Sequence, residues 1–255
     1  MKRIHSTLFV LLLMLASFTA GTQYPRGDVD QDGQVTVADV TCLIDNLLNG
    51  TRDEDPETTP DDQEYVDLGL PSGTLWATCN VGANSPEEFG DYFAWGETEP
   101  KDEYDWSTYK WCNDSHYTQT KYCNNSDYGT VDNKKELDPE DDAAYVNWGK
   151  NWRMPTSGQQ QELYEQCTWT WTIRNDVNGY LVTGPNGASL FLPAAGVRAF
   201  NSLINCSNGY YWSRSLSSVA SCATYSLFFS SSRVDWYNYG RNSGHPVRAV
   251  RMPQN

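Results

Sequence analysis

The sequence predicts a mixed fold of scattered short strands with few helices, and three observations carry that expectation. Turn signals recur at short intervals after residue 64: Pro71-Ser72-Gly73, Gly184-Pro185-Asn186-Gly187 and Ser207-Asn208-Gly209. Between and beyond them lie short β-type runs, Leu181 to Thr183, Ser189 to Leu192, Tyr225 to Phe229 and Val247 to Val250. One amphipathic helix stands out, about Ser157 to Gln166, with Thr156 placed to cap its N-terminus. At 255 residues the chain has room for one large domain or two small ones.

Charge and composition narrow the partners. Acids outnumber bases 33 to 18, for a net charge of -15. That argues against nucleic acid, which needs clustered Lys and Arg on its phosphates, and against an anionic membrane surface. Ten Trp and 16 Tyr are too many aromatics for a disordered acidic tail. Only three His exist, one of them His5, so a multi-histidine metal centre is excluded by count.

Residues 1 to 21 read as a signal peptide. Lys2, Arg3 and His5 make a basic start, Leu8 to Ala16 an apolar run, and Thr19-Ala20-Gly21 a small-residue patch for cleavage. The run is well short of the ~20 residues that span a bilayer. No cysteine lies near the cut, so a bacterial lipid anchor is not expected. The expectation is a secreted or cell-surface protein without a transmembrane segment once the leader is gone. Export makes the seven cysteines candidates for disulfides. Cys112–Cys123 and Cys206–Cys222 are the favoured pairs, because each closes a short polar loop, although sequence cannot settle the pairing. No CxxC occurs, which leaves a zinc knuckle or thioredoxin-type site without support.

Residues 22 to 50 carry the strongest local signal. Asp28, Asp30, Asp32, Gln34, Thr36 and Asp39 fall at positions 1, 3, 5, 7, 9 and 12 of a twelve-residue loop. Calcium wants six to eight hard oxygens, and this spacing wraps a chain around one ion. Gln34 contributes its carbonyl, Thr36 acts directly or through water, and Gly33 permits the sharp turn. Val40, Leu43, Ile44, Leu47 and Leu48 then mark one face of an EF-hand-like helix that ends at Asn49-Gly50. The stretch GDVDQDGQVTVADVTCLIDNLLNG resembles one repeat of a type I dockerin. Such modules usually carry two repeats and dock onto a cohesin. Residues 51 to 63, TRDEDPETTPDDQ, hold no second loop; six acids and two Pro make them an acidic linker. The resemblance implies a cohesin-like or other surface partner, with the missing repeat standing against it.

Residues 64 to 252 contain the phrases YVDLGLPSGTLWATCNVGA, GDYFAWGE, DDAAYVNWGKNWRMPT, LFLPAAGVR, GYYWSRS and GHPVRAVR. Together these resemble the Fibrobacter succinogenes major paralogous domain. That family is similar in turn to the C-type lectin and formylglycine-generating-enzyme superfold. The resemblance implies an α+β, C-type lectin-like domain with a small twisted antiparallel sheet and long loops. It implies no activity. From the residues themselves, Trp76, Trp95, Trp148, Trp152 and Trp212 sit beside Gly, Ala or apolar residues and read as buried. Arg153, Arg198 and Arg248 flank apolar strands, where Asp141, Asp142 or Glu162 can pair with them.

The stretch from Ser213 to His245 differs in mixing Tyr, Trp, Ser, Asn and Arg with few aliphatics. Rigid aromatics with adaptable polar neighbours suit a recognition surface for a glycan or protein ligand. The candidate contacts are Arg214, Arg233, Asp235, Trp236, Tyr237, Asn238, Tyr239 and Asn242; a polar β-hairpin is the competing reading. The region also resembles the variable part of diversity-generating-retroelement target proteins. No Glu-Pro-Asn or Gln-Pro-Asp is present, which weakens a calcium-lectin site.

Catalysis finds little support. No G-x-S-x-G exists, and a Ser–His–Asp set would have to use His116 or His245. About half of the acids cluster in the calcium loop, the linker or the 132–142 stretch, where solvated charge is the ordinary explanation. The chain reads as a non-catalytic binding or adhesion protein; the alternative is an enzyme or accessory of an extracellular polysaccharide-degrading system. A single loop–helix cannot bury its own apolar stripe, so that stripe is expected to pack on the large domain or another chain. Deleting residues 22–60 should then lower the melting temperature or change the oligomeric state, and an unchanged melt and mass would refute the packing.

Overall fold

The computed structural model describes residues 63–252. The signal peptide, the calcium loop with its helix, and the linker up to residue 62 lie outside them. Within the described residues the chain is β-rich, with small antiparallel sheets, two short α-helices and long connections. No helix among them is long and apolar enough to cross a membrane.

Strand β1 (Tyr65–Asp67) pairs with β2 (Leu75–Ala77), which also pairs with β11 (Val250–Arg251), joining the two ends of the domain. The turn between β1 and β2 closes where Gly73 N–H donates to Leu70 O at 2.9 Å. Helix α1 (Ala143–Trp148) is capped by Asp142, whose carboxylate accepts from the Ala144 and Tyr145 amides. Helix α2 spans Ser157–Gln166 behind Thr156, as the capping pattern predicts. Thr156 and Gln159 satisfy each other's backbone N–H groups in a capping box.

After α2 the sequence Thr168–Arg174 alternates Thr with Trp and becomes β3. A two-residue turn follows at Asn175-Asp176, both with positive φ, and leads into β4 (Val177–Thr183) and then β5 (Ser189–Pro193). Short β6 (Val197–Ala199) and β7 (Ser202–Ile204) form a separate hairpin. The last sheet has the order β10-β9-β8, from β8 (Gly209–Leu216), β9 (Ala223–Ser230) and β10 (Arg233–Gly240). Gly209 is required there, because a Cβ would lie 2.0 Å from the Phe229 ring. Of the expected runs, the first three fall inside β4, β5 and β9, whereas only the end of Val247–Val250 enters a strand.

Two large apolar cores share a wall made of β2, β8 and β11. Alternate side chains of a strand face opposite ways, so Ala77, Trp212 and Ala249 enter one core while Trp76, Tyr211 and Val250 enter the other. Trp95 and Trp212 are fully buried and donate to Ser213 O at 2.8 Å and Phe93 O at 2.7 Å. Trp76 and Trp152 are buried too, but their indole N–H groups have no hydrogen-bond partner among the described residues. Trp148 is only half-buried.

Two arginines lie inside the protein without a carboxylate. Arg248 donates to Asn80 Oδ1 at 2.8 Å and to the carbonyls of Ala77 and Thr78. Arg241 donates to Tyr109 Oη at 2.8 Å, Tyr122 O at 3.1 Å, Ser221 O at 2.9 Å and Lys121 O at 3.0 Å. Its guanidinium carbon also lies 4.8 Å from the Trp95 ring centre, within cation–π range. Of the arginines expected to find acids, Arg153 meets Asp142 at 2.9 Å. Arg248 uses neutral acceptors instead, and Arg198 lies over the Tyr92 ring at 5.4 Å.

The expected disulfides do not form in the structure. Cys112 and Cys123 are free, their thiols donating to different carbonyls, Trp106 O at 3.2 Å and Asn125 O at 3.1 Å. Cys206 and Cys222 are free as well. Each pair is joined by a short polar loop, but closeness along the chain does not by itself bring two thiols to bonding geometry.

Arg241→Lys keeps the charge but removes the planar fork that reaches four acceptors. It is expected to destabilise the domain by about 3 kcal/mol in urea titration, consistent with the cost of leaving buried polar groups unpaired. A loss under about 0.5 kcal/mol would show that the cluster is not a stability determinant.

Candidate functional site

The β10 strand carries most of the sequence-predicted contacts, and its pairing divides them. It runs in unbroken register against β9 from Arg233↔Ser230 to Gly240↔Ala223. Alternation therefore puts Arg233, Asp235, Tyr237 and Tyr239 on one face, and Trp236 and Asn238 on the other. On the first face Arg233 bonds the Tyr237 hydroxyl, and its guanidinium lies 5.3 Å from the Phe228 ring. Tyr237 meets Phe228 edge-on at 4.8 Å, and Phe228 meets Tyr210 at 5.1 Å. Tyr239 continues the row inward, 5.5 Å from Tyr210 and 4.7 Å from His245. Arg233 and Tyr237 are exposed at the edge of the sheet, while Phe228 and Tyr210 behind them are buried.

Trp236 belongs to the packing. It lies against the second core and meets Tyr164 of α2 edge-on at 5.0 Å. Its indole N–H is buried without a hydrogen-bond partner among the described residues. Asn238 is exposed on the same face, and Asn242 is half-buried past the strand end. Arg214 lies elsewhere, on β8, with Glu136 at 3.1 Å. A continuous run in the sequence thus becomes one exposed aromatic–arginine face, one packing residue and one distant cation.

Sequence reasoning missed a second aromatic group near the end of β10. Trp106, His116, Tyr117 and Tyr128 follow one another with ring separations of 5.8, 3.9 and 6.0 Å. Tyr117 is 60 % exposed. A Cβ at Gly240 would lie 3.6 Å from Trp106, which sets this group beside the strand end. The residues come from an irregular segment, where no periodicity marks their common face.

Other chemistry-bearing groups are satisfied within the fold. Asp138, Glu140 and Asp141 lie together as a metal-ligand set would. Lys121 Nζ stands among them, 2.7 Å from Asp138 and 2.6 Å from Asp141, in the place a cation would take. Burial pulls the Lys121 pKa down, but these hydrogen bonds outweigh it and raise it above its usual value. Ser226 Oγ is 3.0 Å from His245 Nδ1, yet both residues are fully buried. His245 stacks on Trp212 at 3.6 Å, and burial holds its pKa well below the usual value, so it stays neutral. That pair has no route to a substrate. The calcium ligands Asp28, Asp30, Asp32, Gln34, Thr36 and Asp39 lie outside the described residues.

Compared with known proteins, the chain matches no family model, no curated protein and no solved structure.

Trp236 and Tyr237 should separate in mutagenesis. Trp236→Ala is expected to cost about 2 kcal/mol of stability, because it opens a void between α2 and the sheet. Tyr237→Ala should cost less than about 1 kcal/mol, since its ring lies at the rim. Equal losses in urea titration would contradict the two-faced arrangement.

Proposed function

We propose that this chain is an exported, non-catalytic recognition protein. Its C-terminal domain has a lectin-like α+β fold and displays a ligand surface on β10, behind a calcium-binding, dockerin-like loop and helix. The observation that carries the reading is the exposed Arg233–Tyr237 pair braced on buried Phe228 and Tyr210. Rigid rings and a preset guanidinium lose little conformational entropy on binding, which is what a paratope-like surface needs. The outer edge of β10 forms no sheet ladder among the described residues. Asp235 and the nearby Trp106–Tyr128 group add acceptors and ring faces, a combination suited to sugar hydroxyls and C–H surfaces.

The lectin-like assignment is supported by the phrases quoted from residues 64–252 and by an architecture of small antiparallel sheets with long connections. The calcium assignment is supported by the six-position spacing and by Gly33. An aspartate-rich loop of this kind would supply stability or docking, away from the β10 face in sequence.

A glycan and extracellular-protein array tests the reading, with the mature chain and its Tyr237→Ala variant, each with calcium and with chelator. A defined hit that the variant loses by about tenfold is expected, the loss of about 1.4 kcal/mol of contact. A hit that survives Tyr237→Ala unchanged would remove β10 from the site, and no hit under any condition would overturn recognition as the function.

A further inference from the structure

A cleft of about 300 Å³ opens beside β6, and its lining carries charge of both signs. Asp91, Tyr92, Lys101, Asp102, Tyr104 and Arg198 all contribute to it. Backbone pairing brings these residues together from separate parts of the chain. Arg198 N–H donates to Gly244 O at 2.8 Å, and Gly244 N–H returns a bond to Arg198 O at 2.9 Å. Tyr104 and Phe200 exchange two such bonds, at 2.8 and 3.0 Å, which joins the β6–β7 turn to the segment of Lys101 and Asp102. The Tyr104 hydroxyl donates to Tyr92 O, and the Tyr92 hydroxyl donates to Ala195 O. Both residues are buried, so both rings are fixed.

The charges in this cleft are left open. Elsewhere Arg153, Arg174 and Arg214 each meet a carboxylate, and Arg241 and Arg248 use neutral acceptors. Arg198 is half-buried, with its guanidinium carbon 5.4 Å from the Tyr92 ring centre. Its side chain makes no hydrogen bond or ion pair among the described residues. Burial raises the pKa of Tyr92 and of Tyr104, so neither becomes a phenolate to balance it. Lys101 is already engaged, its Nζ 2.9 Å from Glu97 and 2.9 Å from Thr108 O. The exposed carboxylates of Asp91 and Asp102 also form no hydrogen bond or ion pair among the described residues. A free guanidinium and two free carboxylates thus line one small cleft without pairing.

We infer that this cleft binds a small zwitterion of the amino-acid class, one molecule carrying both a carboxylate and an ammonium. The planar guanidinium of Arg198 matches a carboxylate in paired, charge-assisted hydrogen bonds, and Asp91 and Asp102 accept from the ammonium. Other ligand classes fit the charges less well. A simple anion meets two aspartates, and a simple cation meets Arg198. A neutral sugar displaces water from all three groups and neutralises none of them, which costs free energy. The volume is at the small end of ligand pockets, room for an amino acid or a dipeptide rather than an oligosaccharide. The site stands independently of the β10 surface, because no β10 residue lines it.

The test titrates the mature chain with a panel of free amino acids, followed by ligand-observed NMR. Two capped controls accompany the tightest binder: its N-acetyl derivative, which lacks the ammonium, and its amide, which lacks the carboxylate. At least one amino acid is expected to bind with a Kd of about 1 mM or tighter, and each capped form about tenfold weaker or worse. Arg198→Gln and the double variant Asp91→Asn/Asp102→Asn should each weaken binding about tenfold, whereas Tyr237→Ala should leave it unchanged. The aspartates are the decisive positions. Their exposed side chains carry no structural bond, so the double variant should melt within a few degrees of the parent. Failure of every amino acid to bind, a capped form that binds as tightly as its parent, indifference to Arg198→Gln or to the double variant, or a loss in Tyr237→Ala would each overturn the proposal.

Discussion

A guanidinium with no carboxylate, sealed inside the protein, is the constraint on which much of the domain rests. Removing a charge from water costs several kcal/mol, so every N–H of Arg241 has to find an acceptor. Four of the five find one among the described residues, on three separate segments: Tyr109, the Lys121–Tyr122 carbonyls and Ser221. Tyr109 is held neutral in turn; burial raises its pKa well above the usual value, and its hydroxyl donates to Trp95 O at 2.6 Å. The long irregular stretch between β2 and α1 has little repetitive structure of its own. Its placement follows from these convergent bonds, together with the Lys121 ammonium locked among Asp138 and Asp141. An unstructured-looking connection thereby becomes a fixed wall, and Trp106, His116, Tyr117 and Tyr128 ride on it.

The second organising fact is that the β2–β8–β11 wall has no solvent side. Strands buried on both faces normally read as continuous apolar runs. β8 instead reads GYYWSRSL, with Ser213 and Ser215 buried. Their hydroxyls are absorbed locally: Ser213 Oγ donates to Tyr225 O at 2.8 Å, and Ser215 Oγ accepts from Ser157 N–H at 3.1 Å. The latter bond ties β8 to the start of α2. A stretch that resembles a polar, solvent-facing surface is partly core for this reason. Tyr and Trp supply apolar bulk, and the serine hydroxyls are bonded to backbone groups.

This explains which parts of the fold and site were legible. Helix α2 was, because Thr156 and Gln159 form a cap that depends only on residues three apart. The turns at 71–73, 184–187 and 207–209 were legible through glycine and proline chemistry. β3 and β8 were not, since they carry Thr, Ser and Tyr where strands usually show Val and Ile, and the Asn175-Asp176 turn is a weaker signal than Asn-Gly; β10 was legible only through the competing polar β-hairpin reading. The chemical character of 233–239 was visible, but its division between faces was not. Only the register against β9 shows that Trp236 and Tyr237 point oppositely. Arg214 was visible as a candidate contact, yet its partner Glu136 lies far off in the sequence. No spacing rule links them.

Charge distribution connects these observations. At physiological ionic strength the screening length is about 8 Å, and acids beyond that distance weigh little against cations at contact. Asp142 and Glu136 are bonded to Arg153 and Arg214 and so act as braces for them. The Asp138–Asp141 cluster is quenched by Lys121 and, more weakly, by Lys110 at 3.3 Å. The fold therefore sorts its charges, spending part of its few lysines to neutralise acids in one wall and gathering arginines at another. The β10 face follows the same logic on a smaller scale: Arg233 is turned onto Phe228 and Tyr237, where ring faces partly replace water while leaving the cation open to an incoming acceptor.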